Sequence, residues 1–140
     1  MWLLFAILSA VFAALVAIFS KLGLKNIDTT LATTVRAIIM GGFLFVVSLF
    51  LGKFNGFSWS SFGSKDWLLI TLAGIAGSLS WLCYFFALKN GATTAVVAID
   101  RLSMVLVAIM ALLILKEPLG AKAFTGVGLM VVGAILISWK

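Results

Sequence analysis

Few side chains in this sequence could do chemistry. There are four acids (Asp28, Asp66, Asp100 and Glu117), ten Lys and Arg residues, a single Cys at position 83 and no His. Metal-ligand clusters and Ser-His or Cys-His nucleophiles need residues this chain lacks. No metal, cofactor or enzymatic chemistry is therefore expected. What stands out is position. Asp100 and Arg101 lie inside Ala95–Leu115, AVVAIDRLSMVLVAIMALLIL, and Arg36 lies inside Leu31–Leu51. Each run is long enough to cross a bilayer, about 20 residues at 1.5 Å rise. A charge held there costs about 2.5–3.5 kcal/mol on insertion scales, so the three groups must face protein, water or a ligand.

Neighbouring positions on a helix point about 100° apart, so Asp100 and Arg101 are poorly placed to pair with each other. Asp100 is expected to meet Arg36 or an Arg from a partner subunit. Three roles remain open for the pair. It could be an ion-pair lock that fixes helix register, a gate or substrate contact that changes partners between two states, or a proton-coupling site centred on Asp100. Arg36 has two readings. It could snorkel to nearby headgroups, or point inward as an anion or counter-ion site. The three embedded groups sum to +1, which favours anionic or zwitterionic ligands. Trp81 and Tyr84 are three residues apart on one helical face, suited to packing or to the wall of a cavity for an aromatic or apolar ligand. Ser103 shares the face of Asp100.

The elements that must position these residues follow from hydrophobic length. Residues are 64% hydrophobic and only 10% charged, whereas a soluble domain is about half apolar and a quarter charged. The composition predicts an all-α membrane protein with five helices, at about 2–20, 31–51, 67–88, 95–115 and 121–139. The first is read as a retained helix, because no basic residue precedes Lys21 as in a signal peptide. Asp28, Thr29 and Thr30 are suitable N-cap residues for the second. The connection 52–66 carries Phe54, Phe57, Trp59 and Phe62, an interfacial aromatic belt. Gly74, Gly77 and Ser78 in helix 3, and Gly126 and Gly133 in helix 5, are small residues suited to close helix packing. Lys89, Asn90 and Gly91 supply a C-cap signal, Pro118 a stop, and Glu117 a partner for Lys116 or Lys122. Cys83 is expected to fill a small gap. Trp139 and Lys140 would anchor the end.

The net charge of +6 is scattered through the loops, which fits lipid headgroups and not nucleic acid. Five spans would place the termini on opposite sides of the membrane. Lys53, Lys65, Lys116 and Lys122 then face Lys21, Lys25, Lys89 and Lys140, four against four; adding Arg36 and Arg101 to the second side makes six against four and favours a cytoplasmic C-terminus. So weak a bias permits insertion in both orientations and an antiparallel homodimer. Such a dimer supplies the inverted repeat around which many secondary transporters alternate access.

The segment Ala87–Ser138 resembles the EamA domain of the drug/metabolite transporter superfamily. The resemblance rests on Ala87-Leu88, the Ala-rich fourth helix, Glu117 and the Gly126/Gly133 pair, with T-x-x-R-A at Thr33–Ala37 in helix 2. It extends over essentially the whole chain and is similar to the single-domain, five-helix bacterial and archaeal subgroup. The resemblance implies one half of a ten-helix fold in a cytoplasmic membrane, and export or exchange of a small-molecule metabolite. Two features depart from the pattern. No Pro follows Asp100, where many EamA domains carry one, and helix 1 lacks the acid on which four-helix multidrug exporters rely. A non-transporting membrane subunit, or one half of a heteromeric transporter, is the alternative.

Overall fold

The computed structural model describes residues 1–58, 62–116, 118 and 120–139. The expectations for Trp59, Glu117 and Lys140 lie outside the described residues. Among the described residues all regular structure is helical, and five stretches are long and apolar enough to cross a membrane. Helix α1 spans Trp2–Gly23 and passes into a short 3-10 turn, Leu24–Asn26. Helix α2 spans Thr29–Phe50 and α3 spans Ser64–Asn90. The fourth stretch, Thr93–Leu115, is built from α4 (Thr93–Asp100), α5 (Ser103–Met110) and a π-helical turn (Ala111–Leu115). Helix α6 spans Ala121–Ser138.

Local chemistry sets these boundaries. Asp28 is extended (φ −62°, ψ 134°) and its carboxylate accepts from the Leu31 N–H at 2.9 Å, which starts α2 at Thr29. Helix α3 begins at Ser64, three residues before the expected start. Asp66 sits in its first turn and its carboxylate accepts from the Gly63 N–H at 3.0 Å, the reciprocal half of a capping box. Helix α4 begins at Thr93, with Ala92 at the N-cap and no side-chain capping bond. The π-helical turn ends at Lys116 in the left-handed conformation (φ 55°, ψ 30°), a position glycine usually fills.

The fourth stretch is continuous but not uniformly wound. Leu102 N–H bonds to Ile99 O at 2.9 Å, Met104 to Arg101 at 3.1 Å and Val105 to Leu102 at 2.9 Å. These are i−3 bonds, and Arg101 and Leu102 have ψ near −15° (−13° and −16°). The helix thus tightens to 3-10 winding at the charged pair and loosens to π winding eleven residues later. No Pro or Gly accompanies the joint.

The chain divides into two compact units, Met1–Leu22 with Ala87–Lys140, and Gly23–Phe86. In the first unit α4 packs along α6, and α5 meets α6 less extensively. The covered side of α6 carries Val127, Val131, Ala134 and Ser138, a helical i, i+4, i+7, i+11 stripe. In α1 the less exposed positions are Ala13, Val16, Ala17, Ser20 and Lys21, again on one face. The Lys21 ammonium donates to the carbonyls of Leu88 and, at 2.8 Å, of Gly91, so a cation from α1 caps the C-terminus of α3. Leu88 has no exposed surface. Gly91 is not left-handed as an Asn-Gly cap would be. Its role is steric, since a Cβ there would stand 2.8 Å from Val96 Cγ2 and 3.1 Å from the Ala87 carbonyl.

In the second unit α2 and α3 form a hairpin. Thr29, Ala32, Thr33 and Arg36 give the covered stripe of α2, and Gly77, Trp81, Phe85 a matching one on α3. At the connecting end, rings meet in series at tilted or edge-on angles: Phe45 with Phe54 (5.4 Å), Phe54 with Phe57 (6.0 Å), Phe57 with Phe62 (5.8 Å) and Phe62 with Trp67 (5.4 Å). Each such pair contributes about 0.5–1.5 kcal/mol, and together they order the aromatic connection as a packed ladder. Elsewhere large apolar side chains point outward along every span. That is the surface expected where lipid is the solvent, because helices satisfy their backbone polar groups internally and expose apolar side chains.

Candidate functional site

Arg36 lies in the second turn of α2, and its surroundings follow from helical spacing. Thr29 and Thr33 precede it on the same face, and both are buried with 7% exposure. Thr33 Oγ1 donates to Thr29 O at 2.7 Å and Thr34 Oγ1 to Thr30 O at 2.9 Å. Across the hairpin, the Arg36 guanidinium carbon stands 3.7 Å from the Trp81 ring centroid and 5.4 Å from that of Phe85. Trp81 is held edge-on by Tyr84 (5.5 Å, 88°) and Phe85 (5.6 Å, 88°). A cation over a ring face in a desolvated setting gains about 2 kcal/mol, enough to offset much of the penalty for the buried part of the arginine.

Beside this stack the hairpin opens into a cleft of about 400 Å³. Its α2 wall includes Thr30, Thr33, Thr34, Arg36 and Met40; its α3 wall includes Gly74, Gly77, Ser78 and Trp81. The volume is that of a small-molecule site. A Cβ built on Gly74 or Gly77 would meet nothing within 4 Å, so these glycines widen the cleft, and among the described residues no close helix contact depends on them. Ser78 Oγ donates to Gly74 O at 2.9 Å, which leaves only its lone pairs toward the cleft. Arg36 is the charged residue among the twelve that line it. Among the described residues its N–H groups have no hydrogen-bond acceptor and no carboxylate pairs with it.

The first unit carries the other expected residues. Asp100, Arg101 and Ser103 are all exposed at the 3-10 joint, while Leu102, Val105 and Ala108 continue the less exposed stripe. Among the described residues neither charged side chain of the pair makes a hydrogen bond or ion pair. Two hollows in this unit, of about 490 and 370 Å³, are lined by apolar and small polar residues such as Ile99, Leu102, Ala134, Ala17 and Val97, with no charge among them. Gly126 is exposed and Gly133 partly covered, and a Cβ on either would find open space. Cys83 is exposed, not the gap filler expected.

The structure thus brings Arg36, Trp81, Tyr84, Gly74, Gly77 and Ser78 together, and groups Asp100, Arg101 and Ser103 separately. Phe85 and the threonines at 30, 33 and 34 belong to the site although sequence reasoning did not select them. Their signal was present: Phe85 is four residues from Trp81 and Thr33 three from Arg36, both same-face spacings.

Comparison with known proteins agrees with this picture. The family model described as the EamA-like transporter family matches residues 1–139. A protein of Sinorhizobium sp, "Uncharacterized transporter in cobO 3'region", is 36% identical over 137 residues, covering 98% of this chain and 96% of that one. No solved structure matches the chain. With five apolar helices of membrane-spanning length and a match along nearly all its residues, this multi-pass membrane protein belongs to the EamA-like transporter family.

Proposed function

We propose that the chain is a secondary transporter that exports or exchanges a small metabolite by alternating access in the cytoplasmic membrane of a bacterium or archaeon. One observation carries this reading: a small-molecule-sized cleft inside a membrane-spanning hairpin presents an arginine whose N–H groups have no acceptor among the described residues. A structural arginine would be expected to have its donors satisfied, because unsatisfied donors in a low-dielectric setting are costly.

The working form is an antiparallel homodimer of copies inserted in both orientations. Its support is the near balance of basic residues between the two sides and the inverted pairing that alternating access requires. Asp100 and Arg101 act as gating groups. Among the described residues they make no ion pair, and they stand where the fourth stretch tightens to 3-10 winding; such mid-helix segments often mark hinges.

Proteoliposomes of the purified protein test the reading. Counterflow of a solute that stabilises the protein is expected, with loss of flux in Asp100→Asn while folding is retained. A folded protein that binds solute yet moves none would instead favour a non-transporting membrane subunit. Reporter fusions after Lys140 test the topology: copies of both orientations are expected, and a uniformly cytoplasmic C-terminus would rule out dual insertion.

A further inference from the structure

The hydrogen-bond directions around the α2–α3 cleft specify more than a general solute. A backbone carbonyl cannot donate, so in the bonds from Thr34 to Thr30 O and from Ser78 to Gly74 O the hydroxyl hydrogens are committed to the helix. Toward the cleft both hydroxyls are acceptors. Thr30 makes no side-chain hydrogen bond among the described residues, and its hydroxyl can turn either way. Arg36 is the opposite case, a pure donor with a permanent charge. Trp81 covers the face of its guanidinium plane at 3.7 Å and leaves the N–H edges, the geometry that binds a carboxylate through two parallel bonds. No carboxylate lines the cleft. Thr33, which also lines the cleft, likewise spends its hydroxyl hydrogen on the helix, donating to Thr29 O at 2.7 Å, and the rest of the wall, Met40 and Ala73 among it, is apolar.

We propose that the cleft takes a small organic monoanion, its negative group on Arg36, with a hydrogen-bond donor elsewhere in the same molecule facing the acceptor hydroxyls of Thr34 and Ser78, and an apolar body. This rests on the transporter reading only for what becomes of the ligand. The binding chemistry stands by itself. A neutral amide would lose the charge-assisted bonds, and an anion without a donor would leave the two hydroxyls desolvated and unmatched.

The full chain, purified in detergent, is titrated with three ligands of one shape: mandelate, mandelamide and phenylacetate. Mandelate has both the charge and the hydroxyl donor, mandelamide lacks the charge, and phenylacetate lacks the hydroxyl. Ligand-induced melting shifts give each affinity. Mandelate is expected to bind about 10- to 100-fold tighter than mandelamide and about 5- to 10-fold tighter than phenylacetate. Arg36→Gln removes the first gap, and Thr34→Val with Ser78→Ala removes the second while leaving the first. The wild-type comparison alone decides the matter should a variant fail to fold. No saturable binding of mandelate, or equal binding of mandelamide, overturns the proposal; equal binding of phenylacetate overturns its donor half. Solute exchange in proteoliposomes that ignores charge sinks this ligand class and leaves the transporter reading intact. Charge-selective binding without exchange does the reverse.

Discussion

The two units treat charge and space in opposite ways. In the Gly23–Phe86 hairpin the embedded arginine is covered by aromatic rings, and the glycines beside it face empty volume. In the other unit Asp100 and Arg101 are uncovered, while Gly91 is crowded by Val96 and Ala87 and the α3 terminus is clamped by Lys21. Rings stabilise the one charge where it stands and leave its donor edges available. The other two charges rely on no side chain among the described residues of their own unit, and the backbone at their position is tightened. A site that must bind and a segment that must move would differ in this way.

The largest effect is expected where the covered charge loses its cover. Trp81→Ala removes the ring under Arg36 and two edge-on contacts with Tyr84 and Phe85. It should lower the unfolding free energy by about 2–4 kcal/mol, the range for truncating a large, partly buried aromatic. Trp81→Phe keeps a ring and should lose about 1 kcal/mol. Unfolding in mixed detergent micelles measures both. A Trp81→Ala protein as stable as wild type would mean that Arg36 needs no cover, and the contrast between the units would dissolve.

Next comes the clamp. Lys21→Met keeps the aliphatic stem and removes two charge-assisted bonds to the Leu88 and Gly91 carbonyls, which should cost about 1–2 kcal/mol. Lys21→Arg should recover part of this, because an arginine can also donate to helix-terminal carbonyls. An effect on solute affinity equal to that of Arg36→Gln would show that the clamp and the cleft act as one element.

What could be read from the sequence divides along the same physical lines. Spans are legible because lipid enforces runs of about 20 apolar residues, and Asp28 is legible as a cap because N-capping is local. The joint at Arg101–Leu102 is not, since neither Pro nor Gly marks it and 3-10 winding leaves no compositional trace. Gly91 read as a left-handed cap, but its glycine answers to Val96 and Ala87, a steric requirement known only once the turn is built. Trp81 is legible as a ring on the face of Tyr84, three residues away. Its pairing with Arg36 lies forty-five positions away in sequence, and no periodicity within one helix reports it. Gly74, Gly77 and Ser78 suggested close packing by type; their type equally suits open space, and the volume beside them is what separates the two.

Glycine substitution sharpens the contrast in space. Gly91→Ala should destabilise by about 1–2 kcal/mol, as a Cβ 2.8 Å from Val96 Cγ2 forces a shift. Gly77→Ala meets nothing within 4 Å and should stabilise α3 by about 0.5–1 kcal/mol through helix propensity. Because Gly77 lines the cleft, the same substitution narrows it, so solute affinity should fall as stability rises. If both properties rise together, the cleft is not where solute binds.

The smallest change in stability is expected at the uncovered charges. Asp100 is exposed and makes no ion pair or hydrogen bond among the described residues, so Asp100→Asn should alter the unfolding free energy by no more than about 0.5 kcal/mol. Arg101→Gln should do the same, because a pair that does not bridge has no coupling to lose. A double-mutant cycle therefore should show near-additivity between these neighbours. Flux, by contrast, should respond strongly to Asp100→Asn, since a group that stabilises neither the resting fold nor its neighbour can be retained for the transition between states. A loss of several kcal/mol in Asp100→Asn would reverse this logic. It would make the aspartate a structural lock whose partner is supplied on assembly, and the difference between the covered and uncovered charges would then lie in when each is paired.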